Sequence, residues 1–282
     1  MRLTRRANMT KVRAYFSLFR IKTAEGIQYR LAGLASASVG VFWALIEIVV
    51  FTVFYNYAAN KDAGTLAGLT LKQVISYVWL SQAIWTMQPM SIDAEILKKI
   101  NSGDVGLELC RPMDLYAHWF AGTAASRLIP VFWRGTVTLL CAILMPVPYR
   151  LGLPASAIGF CWSLLSFFCA FLLCTAFGTF VATVRLNVNW GDGPMYMMML
   201  IGGVLSGGYL PLQLWPAALQ TILLLQPFAG YLDIPIRLYL GTMQPNDAGS
   251  LILLQLIWIA LFVAAGKALM AKRLKTIIVQ GG

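Results

Sequence analysis

Residues 202–241 read GGVLSGGYLPLQLWPAALQTILLLQPFAGYLDIPIRLYLG. The stretch is as apolar as a membrane span, yet it cannot be one. Pro211, Pro216, Pro227 and Pro235 interrupt it. Its longest proline-free run, 217–226, makes a helix of only ~15 Å, about half of a ~30 Å hydrocarbon core. Broken backbone at membrane depth persists only where protein buries it or a wet cavity meets it. The stretch therefore reads as short helices that dip into the membrane or lie at its surface, beside a path through it.

Composition supports an integral membrane protein. Apolar residues make up 59% and charged residues 12%, against roughly 25% charged in soluble domains. Long apolar segments fall at 31–57, 71–90, 128–147, 157–184, 194–210 and 250–270. The fold class expected is an all-α membrane protein of six transmembrane helices, organised as one domain over 1–282. Residues 10–29 add an amphipathic helix lying on the membrane. Val12, Tyr15, Phe16 and Phe19 form its apolar stripe, flanked by Lys11, Arg13, Arg20 and Lys22.

The net charge of +11 does not point to nucleic acid, because the positive charges sit where topology needs them. Eighteen of the 22 Lys and Arg residues fall in residues 1–30, residues 91–134, Arg185 and the C-terminal end. Only Lys61, Lys72, Arg150 and Arg237 fall on the opposite side. The positive-inside rule then places both termini in the cytoplasm, with an even number of spans, and 211–245 outside. The prolines become the corners of an outer cap. A cleaved signal peptide is not expected, since 31–58 far exceeds its usual apolar length.

One inside segment is long. Residues 91–115 carry Ile92, Ile96 and Ile100 on one helical stripe, then a stop at Asn101-Ser102-Gly103. Asp104 can cap a second turn bearing Val105, Leu107 and Leu109. Charges of both signs beside an apolar face suit docking onto a soluble partner better than binding lipid.

Chemistry-bearing motifs are scarce. LSGGY at 205–209 resembles the LSGGQ signature of ABC ATPases, but no GxxxxGK[ST] phosphate loop accompanies it. Its glycines instead allow close helix approach or a helix break before Pro211. Glu47 is the carboxylate well inside a span; no basic partner at its depth is evident from the sequence. His118 stands alone, with no metal cluster around it. The five cysteines form no CxxC pair and read as small core residues. Nothing argues for an enzyme.

Together these segments resemble the permease subunits of ABC-2-type exporters. The most specific matches are SGDVGLELCRP at 102–112 and SGGYLPLQLWP…QPF from 206 to 228. The likeness is nearest to a bacterial subgroup of two different small permeases with a separate ATPase. It implies an export function for an amphipathic substrate (a drug-like compound, natural product, lipid or peptide) at the bacterial cytoplasmic membrane, as in multidrug efflux. It implies ABC ATPase partners that hold ATP and Mg, no cofactor in this chain, membrane lipid around it, and a second permease, related or identical, facing spans two and five. Ile96, Ile100, Gly103, Asp104 and Leu107 would couple to the ATPase, with Glu25 of the N-terminal helix beside them. Glu47, Trp79, Gln82, Trp85 and Met87, with Met198 and Leu205 of span five, would line the pathway. The competing class is a secondary transporter or channel subunit, which needs paired ionisable groups at mid-membrane.

Overall fold

A computed structural model describes residues 17, 19–28, 30–59, 65–109, 113–186 and 192–275. Val12, Tyr15, Phe16, Cys110, Arg111 and Pro112 lie outside the described residues, whereas 19–28 is helical.

The first long helix, α1 (Arg30–Ala59), leads into a small hairpin, β1 (Thr65–Leu66) and β2 (Leu69–Thr70). Ala67 and Gly68 turn the hairpin, both with positive φ, as its two-residue connection requires. Thr70 then starts α2 (Leu71–Ile84) with a capping box shared with Gln73. Every residue of α2 from Val74 to Ala83 is buried. It is enclosed by α1, α5 (Leu115–Leu144) and α10 (Asp233–Leu240). A single 3-10 turn, Trp85–Met87, ends it. Span two therefore stops three residues short of the expected 90.

Two short helices follow, α3 (Ala94–Ser102) and α4 (Val105–Leu109). Asp93 caps α3 by accepting from the Glu95 and Ile96 amides, and Gly103 closes it in the left-handed conformation. Helix α5 begins at Leu115, thirteen residues before the expected start of span three. Asp114 accepts from the Tyr116 amide and starts the helix there. At 30 residues it reaches ~45 Å, so it projects beyond a hydrocarbon core.

Helix α6 (Ala157–Arg185) is the hub, packed against α5, α9 (Pro227–Tyr231), α10 and α11 (Ala248–Leu274). Helix α7 (Asp192–Leu205) spans 14 residues, and α8 (Ala217–Leu225) precedes α9. Among the described residues, four stretches are long and apolar enough to cross a membrane: Leu31–Tyr57, Leu115–Leu144, Ala157–Arg185 and Pro245–Leu274. Helices α2 and α7 are too short to join them on length alone. Large apolar side chains cover the outer faces of the long helices, among them Phe42, Val50, Phe132, Phe168 and Leu253. Soluble proteins bury such residues; lipid accepts them.

The N-terminal helix, at Gly26, and α1, at Gly33 and Gly40, meet α5 through glycines. A Cβ at Gly26 or Gly33 would come within 3 Å of Ile129 or Trp133, and one at Gly40 would strike the Arg134 guanidinium. The backbones can approach this closely only without side chains.

Candidate functional site

Three features hold the chemistry: the α3–α4 segment, a polar chain within the bundle, and the insertion between α7 and α11.

At α3–α4, charges form a chain. Lys22 contacts Asp93 at 3.5 Å and Glu95 at 2.5 Å. Lys99 bridges Glu95 at 2.7 Å and Glu108 at 2.8 Å. Glu108 also accepts from the Trp119 indole at 2.8 Å and lies 3.6 Å from His118 Nε2. The N-terminal helix, α3, α4 and the foot of α5 are thus tied together. Hydrogen bonds from Lys22 and then Lys99 hold the Glu95 carboxyl down at about 2. Burial pushes Glu108 up, but hydrogen bonds from His118, Lys99 and Trp119 outweigh it and leave it at about 2.

The apolar stripe of α3 turns inward. Ile96, 4% exposed, packs with Val105, Leu115, Tyr116 and Trp119, with Ile92 and Ile100 against the same cluster. Leu107 points the other way and is 70% exposed. Gly103 and Asp104 share its exposed tip, where Asp104 accepts from Ser102. Glu25 is exposed too, but it lines a cavity against α5 instead of this tip.

Inside the bundle, two arginines of α5 hold oxygens of neighbouring segments, Arg134 within the expected span three and Arg127 just before it. Arg134 donates to the Gln82 carbonyl at 2.7 Å, the Gln82 side-chain oxygen at 2.9 Å, and the carbonyl and hydroxyl of Ser36. Gln82 in turn donates to Glu47 at 3.1 Å. A basic group at the depth of Glu47 therefore exists, one glutamine away, contrary to the expectation of none. Arg127 donates to the carbonyls of Met87, Gln88, Pro89 and Ser91, the oxygens released where α2 ends. Counted by charge alone both arginines belong to the inside segment 91–134; their place within one long helix, where both are buried, reveals the role.

The pathway candidates do not share one surface. Trp79 is fully buried against α1 and donates to the Tyr149 carbonyl. Met87 belongs to a separate cluster with Tyr231 and Ile236. Trp85 stacks edge-on with Tyr209. Met198 packs near Phe177, and Leu205 packs near Leu212. Gln82 and Glu47 are joined as described.

In the insertion, LSGGY is a helix terminus. The Gly208 amide reaches the Gly203 carbonyl and the Gly207 amide the Val204 carbonyl, with Gly207 at φ 82°. This is a Schellman closure of α7, which ends span five at Leu205 instead of 210. A Cβ on Gly207 would overlap the Tyr77 hydroxyl. Pro211 is buried and turns the chain, Pro216 precedes α8, Pro227 is the first residue of α9, and Pro235 lies buried within α10. Each break has a side-chain donor. Gln226 serves the Leu205 and Leu223 carbonyls, Gln255 the Gly230 carbonyl, Trp258 the Leu225 carbonyl, and Ser163 the Pro235 carbonyl. Gln255 also bonds Ser166, nine residues into α6 and so ~13 Å along it. The turn at Gly230 therefore lies deep in the bundle, well below the α6 start. Asp233, fully buried, accepts from the Tyr77 hydroxyl at 3.0 Å, the Leu212 amide and Arg237. No sequence signal singled it out.

Residues 41–281 match the family described as ABC-2 family transporter protein. No curated protein and no solved structure matches the chain.

Proposed function

The chain belongs to the ABC-2 transporter family, and from that premise we propose that it is the membrane-spanning permease subunit of an exporter driven by a separate ATPase. Four long helices, with α2 and α7 as shorter crossings, make up the six spans. Both termini and α3–α4 face the cytoplasm, and the insertion faces outward as a re-entrant cap. ATP and Mg reside on the partner ATPase. A second permease, related or identical, completes the pathway in the bacterial cytoplasmic membrane, and the substrate is amphipathic, as in multidrug efflux.

The observation that carries this reading is the α3–α4 tip. An exposed leucine caps two short helices that ion pairs tie to each other and to the N-terminal helix, and that a Trp119–Glu108 hydrogen bond ties to α5. Such a strut transmits a push from a soluble partner into the bundle. Leu107 with Asp104 and Gly103 forms the contact surface, while Ile96 and Ile100 stiffen it from within. Leu107→Asp is therefore the informative variant, since Ile96→Asp would disrupt the chain's own cluster. Burying one leucine contributes about 1.5–3 kcal/mol, so co-purification with the neighbouring-gene ATPase is expected to fall roughly tenfold or more. Unchanged ATPase capture and transport in that variant would sink the proposal.

An ion-coupled carrier would use a mid-membrane pair such as Glu47 and Arg134. Arg134, however, holds carbonyl and side-chain oxygens of α1 and α2, which favours bracing over ion coupling.

A further inference from the structure

A cavity of about 590 Å³ opens between the N-terminal helix, the start of α1, the 86–95 loop and α5. Its apolar wall includes Ile129, Pro130 and Trp133; its polar lining combines Lys22, Glu25, Asp93, Glu95 and Arg127 with Thr86 and three serines. Of its three carboxylates two are paired, since Lys99 also bridges Glu95 from outside the cavity. Lys22 serves Asp93 and Glu95, and Arg127 serves four carbonyls. Glu25 makes no ion pair among the described residues. The Thr86 hydroxyl oxygen is buried with no hydrogen-bond partner.

We propose that this cavity binds the primary ammonium headgroup of a membrane phospholipid such as phosphatidylethanolamine. A primary ammonium brings one positive charge and three donors. Glu25 supplies the counter-charge, Thr86 supplies a waiting acceptor, and the Trp133 ring offers a cation-attracting face. Lys22 and Glu25 lie three residues apart, so both face one side of a helical turn. The lipid phosphate then sits at the mouth beside Lys22, and its chains run along the exposed side chains of Leu31 and Phe132. Because Asp93, Ala94 and Glu95 of the α3 start also line the cavity, a bound headgroup would brace α3–α4 from the membrane side. This inference needs only that the chain is embedded in lipid, and so it stands apart from the export reading.

The test uses the full chain, delipidated in detergent and titrated with phosphatidylethanolamine, phosphatidylglycerol or dodecylammonium, with bound species counted by native mass spectrometry. Phosphatidylethanolamine should be retained in preference to phosphatidylglycerol, and Glu25→Gln, an exposed change, should reduce that preference about tenfold. Trp133→Phe should keep the preference and Trp133→Leu should weaken it. An unchanged lipid ratio in Glu25→Gln overturns the proposal. So does Glu25-dependent binding of dodecylammonium without phosphatidylethanolamine, which would assign the cavity to free cationic amphiphiles.

Discussion

The α3–α4 segment and the α8–α10 insertion face the same problem and solve it with different chemistry. Each joins two helices of the bundle through broken helices whose end groups need partners. At α3–α4 the partners are charged, in the chain Lys22, Glu95, Lys99 and Glu108. In the insertion they are mostly neutral: Gln226, Gln255, Trp258 and Ser163. A charge at a water boundary is tolerable, whereas one in hydrocarbon is costly. Amide side chains satisfy a carbonyl without that cost. Arg127 stands between the two regimes, a charge used wholly on backbone oxygens at the end of α2.

That contrast can be tested by removing partners from each side. Arg127→Leu should have the largest effect, because four carbonyls lose their donor at once. A loss of about 3–5 kcal/mol is expected, seen as little folded protein on detergent size exclusion; a normal yield would mean that water replaces the guanidinium. Gln255→Leu comes next. It strands the Gly230 carbonyl and removes the acceptor of the Ser166 hydroxyl, and about 1–3 kcal/mol should be lost, read as a lower thermal midpoint and faster hydrogen exchange at 229–231.

The smallest effect separates the two regions by pH. Glu95 and Glu108 titrate near 2 when folded, below the ordinary 4.5. Their contribution is complete above about 4.5 and is lost as pH falls toward about 2. Amide protection in 94–109 should therefore drop in that window, modestly because Glu95 is half exposed. Protection at Gly230, held by an uncharged glutamine, should not follow it.

Much of the fold was readable in the sequence. Proline spacing exposed the broken insertion, and apolar runs marked the four long helices. Gly103 was correctly placed as the stop of α3. Other features were not readable, for identifiable reasons. The stripe of Ile92, Ile96 and Ile100 announces an apolar face but not which neighbour covers it; here it is the foot of α5. Arg127 looks like a loop charge until α5 is known to start at Leu115, and Arg134, inside the expected span, has no partner that sequence spacing can name. Glu47 finds its basic neighbour only through Gln82, 35 positions away, and no local spacing encodes that meeting. Asp233 meets Tyr77 across 156 positions.

The glycines at 33 and 40 of α1 act as a key as well as a clearance. Seven residues correspond to ~10.5 Å along a helix. Sliding α1 along α5 by a single turn would bring side-chain-bearing positions against Trp133 and Arg134. The next matching notch lies a full heptad away, too far for a packed bundle to step. A straight helix also drifts ~20° per heptad, so the seam stays in register only if α1 winds slightly around α5. The pair is indexed to one position, and any movement that accompanies a working cycle must be taken up by other joints of the molecule.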